Sequence, residues 1–233
     1  MLHAILPASG SALRMRGLPK FLLPCDDQYL SLLERHIESL IALCDTVWVP
    51  VRPDLVPLVE SLRINSEKVV ILTMTTQSMT ETVRRVAELS SGERFVMVMP
   101  DTYFLGALPY SKLAESKEPM FLACWKIRPD QYGKLGQVEI SGLGLDASRG
   151  LDRGIVTKSE DKNPDCRFEY SWGAMTFDRE ILDYALDTMP HTGYLIPRLL
   201  ENNVSIGASV IDGQYFDCGT PTEYLSMLKS LEF

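Results

Sequence analysis

Short apolar runs alternate with amphipathic segments along the first half of the chain. Each run is apolar over its whole length, as expected for strands buried on both faces of a sheet. The predicted strands are His3–Leu6, Val47–Val51, Val69–Leu72 and Phe95–Met99. The predicted helices between them are Ser31–Leu43, Asp54–Leu62 and Thr80–Leu89, the last with Thr80 as N-cap. This alternation is typical of βαβ units with right-handed crossovers around a parallel sheet.

The second half mixes strand-like runs with Gly- and Pro-rich connections. The predicted strands there are Met120–Lys126, Gln137–Ile140, Ile155–Lys158, Phe168–Phe177 and Val204–Val210. The predicted helices are Arg179–Leu186, Gly193–Glu201 and Thr222–Leu231. No repeat or linker divides the chain. We therefore expect a single α/β domain over residues 1–233, a Rossmann-like three-layer α/β/α fold with a mixed, mostly parallel central sheet.

Composition excludes several classes of protein. The 23 Lys and Arg against 31 Asp and Glu give a net charge of −8, the wrong sign for a protein held by nucleic-acid phosphates. No apolar run reaches the roughly 18–20 residues of a membrane span, and the N-terminus lacks the features of a secretory signal. We expect a cytoplasmic protein that binds neither nucleic acid nor membrane.

Cysteine and histidine spacing predicts no metal centre. The 5 cysteines and 3 histidines form no C-x-x-C motif and no zinc-ligand pattern. The cysteines are expected to be small apolar filler in a reducing compartment.

The first predicted strand runs into a loop of small residues, Pro7-Ala8-Ser9-Gly10, followed by Arg14 and then by Lys20. Small residues let backbone N–H groups approach a phosphate, and the two cations supply compensating charge. The spacing matches neither a Walker A loop nor G-x-G-x-x-G. The residues alone are equally compatible with a flexible turn carrying two solvated cations.

The run PASGSALRM, followed by LPK, resembles the signature loop of the sugar-1-phosphate nucleotidyltransferases, and is also similar to the cytidylyltransferase branch of that superfamily. Later segments resemble the same family in the same order. They are MPD at 99–101, YG at 132–133, SEDKNP at 159–164, WGAMTF at 172–177 and FDCGTPTEYL at 216–225. The resemblance spans most of the chain and implies a nucleotidyltransferase domain, with a nucleotide-binding half at 1–108 and a sugar-phosphate-binding half at 109–233.

The resemblance also implies roles for individual residues, in a reaction where the protein mainly positions two polyanions and stabilises shifting charge. Arg14 and Lys20 would be catalytic, gripping the triphosphate, and Asp101 and Asp217 would hold Mg²⁺. The implied nucleotide-binding residues are Pro7, Ala8, Ser9, Gly10, Gln77 and Asp101, with Gln77 at the base. The implied substrate-binding residues are Gly133, Asp161, Lys162 and Gly173.

Each role has a plain structural alternative. An aspartate after a strand often caps a turn, and Lys162 lies in a polar stretch where charges are usually solvated. Glycines within strands often mark bends or bulges, and Gln77 can belong to an ordinary loop before a helix N-cap.

The sequence departs from the family pattern at several positions. Ala8-Ser9 stands where many members have Gly-Gly, Leu13 adds bulk beside the loop, Pro100 precedes Asp101, and Asp161 replaces a usual glutamate. The leading hypothesis is Mg²⁺-dependent transfer of a nucleotidyl group to a phosphorylated sugar or alcohol. The main alternative is a non-catalytic nucleotide-binding or nucleotide-sugar-binding regulatory module. A glycosyltransferase is disfavoured because Asp101-Thr102-Tyr103 lacks the second carboxylate of a D-x-D motif. The base, the acceptor and the oligomeric state stay open, although the resemblance is compatible with a homo-oligomer.

Overall fold

The computed structural model describes residues 1–10, 15, 17–62, 64, 66–146 and 151–231, with no side-chain description at 145, 146, 151 and 152. Eleven strands are described: β1 Leu2–Ile5, β2 Thr46–Val51, β3 Val69–Thr73, β4 Arg94–Val98, β5 Thr102–Gly106, β6 Met120–Lys126, β7 Gly136–Asp146, β8 Leu151–Asp161, β9 Tyr170–Asp178, β10 Ile206–Val210 and β11 Gly213–Asp217. Six α-helices are described: α1 Leu32–Leu40, α2 Val56–Glu60, α3 Met79–Leu89, α4 Tyr110–Glu115, α5 Leu195–Glu201 and α6 Pro221–Ser230.

Nine strands form the main sheet in the order β3-β2-β1-β4-β9-β6-β10-β8-β7. The first four pair in parallel, as the first half of the sequence predicts. β9 then lies antiparallel between β4 and β6, and β8 lies antiparallel to both β7 and β10. The sheet is therefore mixed, but the expectation of a mostly parallel sheet is met only in the first half. Antiparallel pairing dominates the second half because β8 and β9 run against their neighbours.

Helices pack on both faces of this sheet. Ala4 and Ile5 in β1 enter different buried clusters, because successive side chains of a strand point to opposite faces. Ile37 of α1 belongs to the cluster of Ala4, and Val83 of α3 to that of Ile5. The core therefore lies in two layers, one on each side of the sheet.

A second, two-stranded sheet was not predicted from the sequence. β5 follows β4 closely and pairs antiparallel with β11, and α4 lies just after β5. Because β11 comes more than 100 positions after β5 in the sequence, no local pattern reveals the pairing.

Several predicted boundaries shift. The N-cap of α3 is Ser78, whose hydroxyl accepts the N–H of Glu81 at 3.1 Å, so the prediction of Thr80 is wrong. The segment predicted as a helix at Arg179–Leu186 is a 3-10 helix at Arg179–Tyr184. Among the described residues, no helix is long and apolar enough to cross a membrane.

Candidate active site

Three adjoining cavities lie beyond the carboxyl ends of the parallel strands. We call them by a lining feature: the Gly10 cavity of about 380 Å³, the junction cavity of about 100 Å³ and the Trp172 cavity of about 250 Å³. Met99 lines all three. Lys20 and Asp101 line both the junction cavity and the Trp172 cavity. The three spaces therefore meet where β4 ends.

Lys20 and Asp101 form an ion pair at this meeting point. The Lys20 Nζ lies 2.7 Å from Asp101 Oδ2, and the two side chains are only 15% and 12% exposed. Lys20 begins a short 3-10 helix after Pro19, whereas Asp101 lies between β4 and β5. Two segments that are 81 positions apart thus place opposite charges side by side, largely shielded from water, which strengthens their interaction.

Asp217 is brought to the same place by the small sheet. The antiparallel register of β5 and β11 sets Asp217 opposite Thr102, and the Cys218 N–H donates to the Asp101 carbonyl at 3.0 Å. Burial, followed by the charges of Asp217 and Asp101, raises the pKa of Tyr215 well above its usual value. Both aspartates line the Trp172 cavity, so the sequence prediction that they act together is compatible with their positions.

A buried histidine supports the strand that follows Asp101. His36 of α1 donates from Nε2 to the Thr102 carbonyl at 2.9 Å, and its Nδ1 then accepts from the Tyr110 hydroxyl at 2.6 Å. Burial lowers the pKa of His36 to about 4. The ring is therefore neutral at physiological pH and ties α1, β5 and α4 together.

The loop after β1 lies against the ends of β2 and α3. The Ala8 N–H donates to the Pro50 carbonyl at 3.0 Å, and the Arg52 guanidinium donates to the Gly10 carbonyl at 3.2 Å. The Ser9 hydroxyl lies 3.1 Å from that of Thr82. Pro7, Ser9 and Gly10 line the Gly10 cavity, and Pro7, Ala8 and Gly10 line the junction cavity. Arg14, predicted to be catalytic, lies outside the described residues.

Gln77 lies on the far wall of the Gly10 cavity, together with Thr75, Thr76 and Ser78. Its backbone N–H donates to the Glu81 carboxylate at 2.6 Å, and Ser78 caps α3. The segment is therefore both a helix-opening loop and a cavity wall.

Asp161 and Lys162, predicted to bind substrate, both line the Trp172 cavity. Burial of Asp161 alone would raise its pKa, but the hydrogen bond from His191 and the charge of Lys162 outweigh this and lower it. Lys162 adopts a left-handed backbone with φ of 51°, an uncommon conformation for a residue with a side chain. Lys134 lines the same cavity.

Gly133 and Gly173 lie where neighbouring residues pack closely against the backbone. Neither glycine is among the residues that line the Trp172 cavity. Gly133 has φ of +73°, and a Cβ there would lie 3.0 Å from Pro164. A Cβ on Gly173 would lie 2.5 Å from the ring of Tyr215. Through Tyr215, Gly173 shapes the cavity without facing it.

Sequence reasoning missed His191 and Arg52 as site residues. His191 precedes the 3-10 helix Thr192–Tyr194 as its N-cap, and its Nε2 lies 3.2 Å from Asp161 Oδ2. Arg52 comes directly after β2. Arg52 could have been predicted to lie at the site, because residues at the carboxyl ends of parallel strands commonly line ligand-binding crevices. Nothing local indicated His191, because its partner is 30 positions away.

The described residues contain no group of three or more His, Cys, Asp or Glu that could hold a metal ion. Asp101 and Asp217 offer two carboxylates on one cavity. This donor set suits Mg²⁺, which is usually held by one or two carboxylates together with water and substrate phosphates.

No protein-family model matches the sequence, and no curated protein is detectably similar to it. Solved structures do match over nearly the whole chain. A UDP-glucose pyrophosphorylase complexed with UDP-glucose has a TM-score of 0.78 at 14% identity, covering 99% of this chain and 98% of the other. A UTP-bound UGPase from Acinetobacter baumannii has a TM-score of 0.76 at 14% identity, covering 99% and 93%.

A third structure, the inositol-1-phosphate CTP transferase from T. maritima, has a TM-score of 0.74 at 14% identity and covers 97% of this chain and 95% of the other. The sequence resemblance is thereby confirmed at the level of the fold. The chain has the fold of the sugar-1-phosphate nucleotidyltransferases that these structures represent.

Proposed function

We propose that this protein is a nucleotidyltransferase, which joins a nucleoside monophosphate unit from a nucleoside triphosphate to a phosphorylated sugar or alcohol. The products are a nucleoside diphosphate-sugar, or the corresponding nucleoside diphosphate-alcohol, and pyrophosphate. The observation that carries the proposal is the shielded Lys20–Asp101 pair, which lines both the junction cavity and the Trp172 cavity. Two substrates that occupy the spaces on either side would meet at this pair.

The nucleoside triphosphate fits the side that residues 1–108 build. Gly10 and the neighbouring small residues expose backbone to the Gly10 and junction cavities, as phosphate binding requires. Gln77 lines the same Gly10 cavity together with Thr75, Thr76 and Ser78, and its side-chain amide can both donate and accept hydrogen bonds to a base. Arg14 would add charge to this side.

The acceptor fits the Trp172 cavity, which residues 109–233 mainly build. Besides Lys20, the described residues of this cavity include two further cations for a phosphate, Lys162 and Lys134, and Asp161 is a carboxylate that can accept hydrogen bonds from hydroxyls. The fold neighbours include a complex with UDP-glucose and an inositol-1-phosphate CTP transferase, which supports a phosphorylated ring or polyol as acceptor.

Asp101 and Asp217 would hold Mg²⁺, whose positive charge neutralises the phosphate oxygens when it is bound. In the reaction, an oxygen of the acceptor phosphate forms a bond to the α-phosphorus while the bond from that phosphorus to the pyrophosphate oxygen breaks. The Lys20 ammonium stabilises the charge that shifts during this step. The acceptor phosphate is already ionised at neutral pH, so the reaction needs no side-chain general base.

The first experiment measures pyrophosphate release by the purified protein with Mg²⁺. It pairs each of CTP, UTP, dTTP, GTP and ATP with a panel of sugar-1-phosphates, inositol-1-phosphate and linear phospho-alcohols. Release that requires both substrates of one pair supports the proposal. Nucleotide binding by calorimetry without release from any pair would favour the non-catalytic binding module instead.

A second experiment tests the carboxylates. We expect Asp101→Asn and Asp217→Asn each to lower kcat at least about 100-fold, the usual scale for losing one electrostatic contributor at a reacting centre. Asp187→Asn is the matched control, because its side chain is 93% exposed and pairs only with Arg84 among the described contacts. Full activity in both site variants would contradict the assignment.

A further inference from the structure

His191 and Asp161 form a hydrogen-bonded pair on the wall of the Trp172 cavity. The Gly193 N–H donates to His191 Nδ1 at 3.2 Å, so that nitrogen accepts and the proton lies on Nε2. Nε2 in turn donates to Asp161 Oδ2 at 3.2 Å. The two side chains are 17% and 21% exposed, so the pair is shielded while both members still line the cavity.

The neighbouring 3-10 helix restrains the orientation of the His191 ring. His191 is the N-cap of the 3-10 helix Thr192–Tyr194, and its ring lies 4.8 Å from that of Tyr194. A Cβ on Gly193 would lie 2.9 Å from the His191 ring and 2.5 Å from Trp172. The imidazole is therefore held by a backbone donor, a neighbouring ring and a position where only glycine fits.

Trp172 forms the adjoining wall of the cavity, and the backbone of two glycines packs closely against its ring. A Cβ on Gly136 would lie 2.2 Å from the indole nitrogen, and a Cβ on Gly193 would lie 2.5 Å from Cζ2 of the same ring. Trp172 lines the cavity together with Asp161 and His191. An aromatic wall beside a fixed carboxylate is suited to a ligand with both C–H surface and hydroxyl groups.

We propose that His191 is the residue that determines acceptor specificity, by holding the Asp161 carboxylate so that it accepts a hydrogen bond from an acceptor hydroxyl beside Trp172. The inference rests on the proposed function for its kinetic readout. His191 acts through Asp161, so it is a positioning residue and takes no part in the chemical step. It favours an acceptor that presents a hydroxyl to the Asp161 carboxylate and C–H surface to the Trp172 ring.

The test is a double-mutant cycle on Asp161→Asn and His191→Ala, measured with the best acceptor of the panel. Each single variant should raise the KM of the acceptor about tenfold, the scale of a hydrogen bond to a charged group. The KM of the nucleotide and kcat should stay within about twofold. The double variant should match the singles, because both remove the same interaction.

His191→Gln supplies the conservative control, since its amide can still donate to Asp161 and should recover most of the acceptor affinity. The inference is overturned if His191→Ala leaves the KM of the acceptor unchanged, if it lowers kcat alone, or if the double variant multiplies the two single effects.

A binding measurement separates failure of this inference from failure of the proposed function. If no pair releases pyrophosphate, calorimetry compares glucose-1-phosphate, inositol-1-phosphate and inorganic phosphate on wild type and His191→Ala. If His191→Ala binds either ring phosphate about tenfold more weakly than wild type and binds inorganic phosphate equally well, the inference is upheld although the catalytic proposal has failed. Equal affinities in the two proteins, or no ring-phosphate binding by wild type, overturn it.

Discussion

The Gly10 cavity and the Trp172 cavity form two sides of the candidate site, the Gly10 side and the Trp172 side, and these are built in different ways. The Gly10 side takes most of its lining residues from segments that follow β1, β2 and β3, whose carboxyl ends meet at one edge of a parallel sheet. The Trp172 side takes Asp161 from β8, Trp172 from β9 and His191 from the N-cap before a 3-10 helix, joined by antiparallel pairing and by the contact of His191 with Asp161. Parallel topology gathers its functional loops automatically, whereas the other side depends on contacts between distant segments.

The two sides also differ in how tightly they are packed. Among the residues that the structure describes, a Cβ on Gly10 would meet nothing within 4 Å, whereas a Cβ on Gly136 would lie 2.2 Å from Trp172. Gly10 therefore borders a cavity without close described neighbours, while glycine backbone packs closely against Trp172 on the other side. The difference suggests that the Gly10 side accepts a substrate by its backbone and that the other side selects by shape.

The largest expected effect is at the junction, where neither side acts alone. Lys20→Met should lower kcat/KM for both substrates by about 100-fold or more, because it removes the cation beside the reacting phosphates. Lys126→Met, at a side chain that is 76% exposed, should stay within about twofold. Steady-state kinetics with both substrates varied checks this, and a loss confined to one substrate would assign Lys20 to one side only.

The buried histidine under the junction should make stability depend on pH. His36 takes up its proton near pH 6.5 in the unfolded chain but, because burial lowers its pKa, only near pH 4 in the folded protein. Below pH 6.5 the unfolded state binds the extra proton, so stability falls as the pH falls, by about 3 kcal/mol at pH 4.

Urea unfolding of wild type and His36→Gln at several pH values measures this slope. The variant should lack the part of the slope between pH 6.5 and pH 4 that comes from the histidine. Equal slopes in the two proteins would show that His36 does not remain neutral when folded.

Matched alanine substitutions sharpen the packing contrast. Gly136→Ala should destabilise the fold by about 2 kcal/mol, since the new methyl group collides with Trp172 and forces repacking. Gly10→Ala should leave stability within about 0.5 kcal/mol and should raise the KM of the nucleotide, because the added methyl group enters the Gly10 cavity. Thermal and urea unfolding check the first part. Equal losses of stability in both variants would remove the contrast.

The smallest expected effect concerns the Gly10 side alone. Arg52 donates to the Gly10 carbonyl and pairs with Asp54. Arg52→Met should raise the KM of the nucleotide about fivefold, the worth of one partly exposed hydrogen bond, and should leave the KM of the acceptor unchanged. It is the counterpart of His191→Ala, so matching effects on both substrates in either variant would break the division into two sides.

Much of the Gly10 side was predictable from sequence. Continuous apolar runs identified β1 to β4, and the residues that follow such strands must lie together at one edge of a parallel sheet. Pro7–Gly10, Lys20, Gln77 and Asp101 all line the predicted edge. The roles of Lys20, Gln77 and Asp101, like those of Asp161 and Lys162 on the other side, were implied by the resemblance, and no periodicity could have paired Asp161 with His191.

The sequence by itself determined the alternation of strands and helices in the first half and the chemical groups available to a polyanionic substrate. Only the tertiary structure decided that β9 would lie antiparallel between β4 and β6, and that β11 would carry Asp217 to Asp101. The physical reason is the range of the interactions. Apolar periodicity depends on residues that are neighbours in the sequence. Strand order and the pairing of charges depend on contacts between segments far apart in the chain, and these contacts form only when the core packs.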